Sequence, residues 1–302
     1  SFKPDPPHRS IAGGPMRRHG TFSPAAHWGG MTSAWLIANS NSRTTDQAAI
    51  AGVCEAIARA GGEVERQIDL ANEELPDTGD SPPDMVVSLG GDGTANAVIR
   101  QFGGADGPSL LILPGGTMNL LSQRLHGDAQ IEQVVERAFS NGRVISVPLI
   151  EGPDFRSLVG VIAGPASAWA EVREDLREGA VDSLIADVRA ALEATFAGPA
   201  VRLRGHEDDH AALLIEARED GLHAHDIRAD SILDLIRHGW AWLRRDFLGG
   251  PTERLEKGRD LVIESRDAEI MLLVDGEMSS AAAPLTLRWG SCPARLIATA
   301  DS

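Results

Sequence analysis

Apolar residues along this chain fall into short runs separated by helical spacing up to about residue 150, and into a different rhythm after it. Residues 34–38 (AWLIA), 85–89 (MVVSL) and 110–113 (LLIL) are runs of strand length. Between the first two, Ile50, Val53, Cys54 and Ile57 recur at helical spacing over residues 46–60, which close at Gly61-Gly62. Residues 64–70 read as a second strand, and 71–83 as an acidic, turn-rich loop. Ile131, Val134, Val135 and Ala138 form one helical face that stops at Asn141-Gly142. Residues 144–150 read as one strand leading onward. Alternating strands and helices predict a doubly wound, three-layer α/β domain.

Beyond residue 151 the pattern changes. Residues 166–178 and 181–196 read as amphipathic helices, the second with Val181, Leu184, Ile185, Val188 and Leu192 in one stripe. Strand-like pieces follow at 201–204, 211–217, 261–265, 270–274, 285–289 and 295–298. Short strands separated by turns predict a β-sandwich domain with helices, not more parallel sheet. Residues 231–247 place Ile232, Leu235, Ile236, Trp240 and Leu243 on one helical face, suited to covering the sandwich or to lying on a bilayer. Residues 1–31, rich in Pro, Gly, His and Arg without periodicity, read as a mobile arm.

At 302 residues the chain is long enough for two domains with real cores. A net charge of −16 argues against nucleic acid as a partner and against strong adsorption on anionic lipid. Two cysteines far apart, Cys54 and Cys292, fit reduced thiols and a cytoplasmic location better than a disulfide framework.

The strand at 85–89 runs into Gly90-Gly91-Asp92-Gly93-Thr94 and then a helical stretch containing Asn96. Glycines let a backbone bend tightly and approach an anion, and the free N–H groups of the next helix point at it. Asp92 repels a bare phosphate, so it suits orienting loop amides or acting through Mg²⁺. Thr94 can cap the helix or donate its hydroxyl. The strand at 110–113 ends alike, in Pro114-Gly115-Gly116-Thr117-Met118-Asn119. Ligands in open α/β sheets sit outside the carboxyl ends of the strands, so both loops belong at one edge.

This pair of motifs resembles the diacylglycerol-kinase-type catalytic domain, shared by diacylglycerol, sphingosine and ceramide kinases and their bacterial relatives. NAD kinases and 6-phosphofructokinases carry a similar GGDGT-like loop; PGGTMN turns the choice towards lipid kinases. The family usually has Asn-Pro-x-Ser-Gly after the first strand, touching nucleotide phosphates. Asn39 and Ser42 match it, whereas Ser40 and Arg43 depart from it, Arg43 bringing charge where the glycine is lost. Asp275-Gly276-Glu277 matches the family's Asp-Gly-Glu, which implies Glu277 as proton acceptor with Asp275 shaping or assisting the site. Alone, those residues equally allow an Asp-Gly hairpin turn. Asp220-Gly221-Leu222 resembles a segment holding a structural Mg²⁺, which implies main-chain ligands at Ala217 and Leu222 and the Asp220 carboxylate. The family's Gly-rich stretch before that segment is missing, and Ala224 stands where a second acid is expected.

After the arm at 1–31, the resemblance implies a nucleotide-binding domain at 32–147 and a lipid-substrate sandwich at 148–287, with 288–302 packing back on the first domain. It implies ATP with Mg²⁺, phosphates over Gly90, Gly91, Asp92, Gly93 and Thr94, with Asn39, Ser40, Ser42, Arg43, Asn96, Gly116, Thr117 and Asn119 around them. The acceptor would be the hydroxyl of a neutral lipid, diacylglycerol or a sphingoid or ceramide-like molecule. Leu120 stands where many relatives have Asp, which makes diacylglycerol less specific as the expectation. Transient contact with the inner membrane surface and a homodimer are both compatible. The rivals are an NAD kinase-like phosphotransferase and a nucleotide- or lipid-binding protein without turnover. His206-Glu207-Asp208-Asp209-His210 satisfies H-E-x-x-H, but the chemistry of that motif needs a helix and these residues read as a hairpin loop. His223-Ala224-His225-Asp226 reads as surface.

Overall fold

The first apolar runs become neighbours in one sheet because each can pair with the next only by a helical crossover. The computed structural model describes residues 32–42, 44–77, 82–116, 119–165, 201–227, 254–275 and 277–300. Strands β1 (Thr32–Ala38), β2 (Gly62–Asp69), β3 (Met85–Gly90) and β4 (Ser109–Pro114) run parallel. Beside β4 lies the last strand of the chain, β17 (Arg295–Ala298), followed by antiparallel β5 (Arg143–Ile145), giving the order β2-β1-β3-β4-β17-β5.

Helices cover both faces of this sheet. Helix α1 (Gln47–Arg59), with Asp46 accepting from the Ala49 amide at 2.8 Å as its cap, packs beside α4 (Ile131–Asn141). Ile50, Val53, Ile57, Val134 and Val135 meet Leu36, Val87 and Leu111 there. On the other face, α2 (Asp92–Phe102) and α3 (Leu120–His126) bring Val98, Phe102, Leu121 and Leu125 onto Ile37, Val86 and Ile112. The doubly wound α/β arrangement read from the sequence is present. The chain leaves β1 towards β2 and then crosses back to β3, so the topological switch point lies between β1 and β3.

The remaining strands are β6 (Pro148–Glu151), β7 (Arg156–Ser157), β8 (Val161–Pro165), β9 (Val201–Leu203), β10 (Ala212–Arg218) and β11 (Gly221–Ile227). After them come β12 (Arg254–Gly258), β13 (Asp260–Ser265), β14 (Glu269–Val274), β15 (Glu277–Ala282) and β16 (Leu285–Ser291). They form two antiparallel sheets, β12-β11-β10-β8-β14-β15 and β7-β6-β16-β13-β9. Ile215, Leu222 and Leu272 from one sheet pack against Ile150, Ile263 and Leu287 from the other, as in a sandwich. The core of the α2–α3 face continues into Leu158, Val159, Ile162, Leu214 and Met271 of the sandwich sheet, so the two domains share buried apolar surface.

Two expectations are corrected. Residues 144–150 are two strands in different sheets, because the backbone breaks pairing at Ser146 and Val147, where the first domain ends and the sandwich begins. His223 and His225 are buried in β11, not at the surface. Their neighbours Leu222 and Ala224 alternate onto the sandwich core, which makes the segment a strand despite its polar appearance. The arm at 1–31 and the helices read at 166–178, 181–196 and 231–247 lie outside the described residues.

Candidate active site

The two glycine turns are pressed together at the carboxyl ends of β3 and β4. The Gly115 amide donates to the Gly90 carbonyl at 2.9 Å. A Cβ on Gly116 would stand 2.4 Å from Gly91 Cα, and one on Gly115 would stand 2.7 Å from the Gly90 nitrogen. Glycine is therefore required here by close approach of backbone to backbone. Asn119, in the left-handed region at φ 52°, locks the second loop: its Oδ1 accepts from the Gly115 and Gly116 amides at 3.1 and 2.7 Å, and its Nδ2 donates to the Gly116 carbonyl at 2.8 Å.

Helix α2 begins at Gly91, which has no side chain to cap it, and its first backbone bond is Ala95 N–H to the Gly91 carbonyl. The amides of Asp92, Gly93 and Thr94 thus precede the hydrogen-bond ladder, the arrangement that favours an anion. The Asp92 carboxylate accepts from the Leu121 amide at 3.2 Å, in the first turn of α3. It ties the start of one helix to the start of the other, the amide-orienting task the sequence allowed. Thr94 is buried against Gly90, with its hydroxyl 3.5 Å from Asn39 Nδ2.

The loop after β1 joins this edge. The Asn39 amide donates to the Leu89 carbonyl at 3.2 Å, and Asn39 Oδ1 accepts from the Asn41 amide at 3.1 Å. Thr45 Oγ1 donates to the Gly115 carbonyl at 3.0 Å, fastening this loop to the second glycine turn. Ser40 turns elsewhere: its amide and hydroxyl donate to Asp69 at 3.0 and 2.7 Å. Those bonds hold the Asp69 carboxyl below the usual range. Arg43, Thr117 and Met118 lie outside the described residues.

Val274 and Glu277, which pair directly across β14 and β15, flank a two-residue turn that begins with Asp275. Asp275 is buried at φ 48°. Its Oδ1 accepts from Ser157 Oγ at 2.6 Å, Val159 N at 2.9 Å and Gly160 N at 3.1 Å, and its Oδ2 from Leu158 N at 2.9 Å. Four donors grip this carboxylate, three of them on Oδ1, so Asp275 fixes the turn. Register places position 277 on the sheet face of Val274, its cross-strand partner, and of Ser279, two residues on. Val274 and Ser279 both border a cleft of about 1040 Å³ between the domains, which Asn96, Ile99 and Arg100 of α2 line from the other side.

The implied structural metal does not fit its residues. Ala217 and Leu222 are paired across the β10–β11 hairpin, and the Ala217 carbonyl accepts from Arg124 Nη2 at 3.3 Å. The Asp220 carboxylate is exposed and takes Lys257 Nζ at 2.6 Å and His223 Nε2 at 2.7 Å, with the Lys257 ammonium the main cause holding its carboxyl far below the usual range. The Lys257 ammonium and the His223 imidazole therefore stand on the atoms a metal would need. Among the described residues no group of three His, Cys, Asp or Glu side chains is placed to hold a metal ion. His206 and His210 lie in a loop, 3.1 Å from Glu256 and 3.0 Å from Asp226 respectively, so the H-E-x-x-H spacing is coincidental.

Two contributors escaped the sequence reading. The amides of 158–160 that hold Asp275 carry no side-chain signature. Arg124, on α3 one turn beyond Asn119, reaches the carbonyls of Leu158, Pro148 and Ala217. A basic residue just past a loop motif was visible, but its partners, being carbonyls, were not.

No curated protein sequence matches the chain significantly. Solved structures from Bacillus anthracis str. Sterne described as diacylglycerol kinases are similar over most of its length. One is 18% identical, covers 88% of this chain and 97% of its own, and has a TM-score of 0.57. Another is 19% identical with the same coverage and a TM-score of 0.60. At that identity they establish the common fold. None of the described helices is long and apolar enough to cross a membrane. Residues 33–150, which hold both glycine turns, Asn39 and Asn119, match the family model for the diacylglycerol kinase catalytic domain.

Proposed function

We propose that the protein transfers the γ-phosphoryl group of ATP, with Mg²⁺ carried by the nucleotide, to the hydroxyl of a neutral lipid such as diacylglycerol or a sphingoid or ceramide-like alcohol. The observation that carries this is the interlocked pair of glycine turns at the start of α2, the helix whose Asn96, Ile99 and Arg100 line a cleft bordered also by Val274 and Ser279 of the β14–β15 hairpin. The triphosphate lies against the amides of Asp92, Gly93 and Thr94, where the helix dipole and free donors offset its charge. Asn119 holds the second glycine turn, and Asp92 ties the start of α2 to that of α3. The acceptor oxygen attacks the γ-phosphorus, its proton passes to Glu277, and the bond to the β-phosphate oxygen breaks, leaving ADP. Asp275 serves by holding the turn.

The test is transfer of labelled γ-phosphate from Mg-ATP into an extract of neutral lipids, run beside Glu277→Gln and Asp92→Ala. The wild type is expected to label one lipid class. Glu277→Gln should lose about 10²–10⁴-fold with nucleotide binding retained, the span general acid–base catalysis covers. Asp92→Ala should weaken nucleotide binding as well. Transfer to NAD in place of lipid overturns the acceptor; ATP binding without transfer to any acceptor overturns catalysis.

A further inference from the structure

The disagreement at the implied metal site points to a different device. Arg124 leaves α3, which is fixed at its start to the first glycine turn through the Asp92–Leu121 bond. From there its guanidinium enters the second domain. Nη1 donates to the Leu158 carbonyl and, at 3.4 Å, to the Pro148 carbonyl, while Nη2 donates at 3.3 Å to the Ala217 carbonyl. Those three carbonyls belong to the strand that opens the sandwich, the loop before β8 and the end of β10. Carbonyl oxygens gathered round a positive centre are what a hard cation would require. Here the positive centre is a planar, permanently charged side chain with five donors.

The same peptide units lead on to the turn. Leu158 offers its carbonyl to Arg124 and its amide to Asp275, and the amides of Val159 and Gly160 grip the same carboxylate. A continuous path therefore runs from Asp92 through Leu121, Arg124 and Leu158 to Asp275. Position 277 is two residues from its end. We infer that the Arg124 guanidinium takes the place of a bound structural cation in joining the two domains, and that it is a positioning residue setting the Asp275–Glu277 turn against the glycine loops. The turnover part of this rests on the kinase reading; the structural part does not.

The experiment compares wild type, Arg124→Lys and Arg124→Met, and each with and without EDTA in the absence of nucleotide. Hydrogen exchange is read at the amides of Leu158, Val159 and Gly160 and, as the control, in β1 and β3. In Arg124→Met the 158–160 amides are expected to exchange at least tenfold faster while β1 and β3 stay unchanged. Arg124→Lys, one compact ammonium for three carbonyls, should fall between. EDTA should leave the wild-type melting temperature and exchange unaltered. If the wild type transfers phosphate, kcat should drop by about 10²-fold in Arg124→Met, as for a displaced catalytic group, with KM for ATP within about twofold. EDTA-sensitive exchange at 158–160 that Mg²⁺ reverses would overturn the inference, and so would unchanged exchange in Arg124→Met. Uniform acceleration across both domains in both variants would reduce Arg124 to general stability and overturn the positioning role. Failure of the wild type to phosphorylate lipid strikes the kinase reading alone, because exchange and chelation are read without turnover.

Discussion

At the scale of single residues, the glycine pair gives the sharpest contrast. Gly91 and Gly116 face each other, but the space around them is unequal. A Cβ on Gly91 would rest 3.5 Å from Gly116 Cα, an ordinary contact, and its φ of −80° suits any residue. A Cβ on Gly116 would stand 2.4 Å from Gly91 Cα, and backbone cannot swing aside as a side chain can. Gly116→Ala should therefore destabilise the protein by about 1–3 kcal/mol, the range of overpacking. Gly91→Ala should leave the melting temperature nearly unchanged and, on the proposed kinase reading, weaken ATP binding by adding a methyl group at the helix start against which the phosphates are proposed to lie. Thermal unfolding and nucleotide titration of the two variants separate the effects. Asp275 is a second such residue. Asp275→Asn keeps a side chain tolerant of the left-handed backbone. It also turns one acceptor into a donor aimed at the Leu158 amide or at the Ser157–Gly160 set, at a cost of about 1–3 kcal/mol. Loss of cooperative unfolding at unchanged temperature, or no change at all, would contradict that account.

At the scale of elements, α3 carries a pH dependence. His126 at its end is buried, its Nδ1 is 2.9 Å from Thr299 Oγ1, and burial lowers its pKa from 6.5 to about 4. Between those values the unfolded chain binds a proton that the folded chain refuses. Stability is therefore complete above pH 6.5 and declines as pH falls towards 4, by about 1.4 kcal/mol per unit and about 3 kcal/mol in all. Denaturant titrations from pH 7 to 4.5 should show that slope, and His126→Leu should flatten it whatever its effect at pH 7. Helices α1 and α4 were legible in the sequence because each buries one stripe against a single sheet, so spacing reports packing. Strand β11 was not, because His223 and His225 are buried polar residues alternating with Leu222 and Ala224, and residue type then misreports exposure. The break at Ser146 and Val147 escaped for a related reason: both halves are apolar, and only a change of partner sheet separates them. In the site, the glycine turns were legible since backbone proximity demands one residue type. The grip on Asp275 and the reach of Arg124 use main-chain atoms, which every residue has.

At the scale of the whole molecule, the segment that resembles the family is not a self-sufficient domain. It spans residues 33–150, whereas the sheet it builds is completed by β17, more than 140 residues later, placed between β4 and β5. Without β17, the edge of β4 is bare and β5 loses the strand it pairs with. Leu296 and Ile297 are fully buried, one on each face of the sheet. Their burial is worth about 1.5–3 kcal/mol apiece, a large share of the about 5–15 kcal/mol that holds an ordinary domain together. The return is fastened further by the Thr299 and Ala300 amides, which donate to the Leu125 carbonyl at 3.0 and 3.1 Å, on the helix that carries Arg124. The α/β half thus takes its last strand from beyond the sandwich in the sequence, and the two halves should unfold together. A polypeptide of residues 32–150 is expected to lack cooperative thermal unfolding and to bind ATP poorly, while the full chain shows one transition seen alike by circular dichroism and tryptophan fluorescence. Deleting 295–302 from the full chain should lower that transition by ten degrees or more and abolish nucleotide binding along with it. If residues 32–150 alone unfolded cooperatively and bound ATP as the full chain does, the sheet would not need its distant strand, and the coupling of the two domains would rest on Arg124 and the shared core alone.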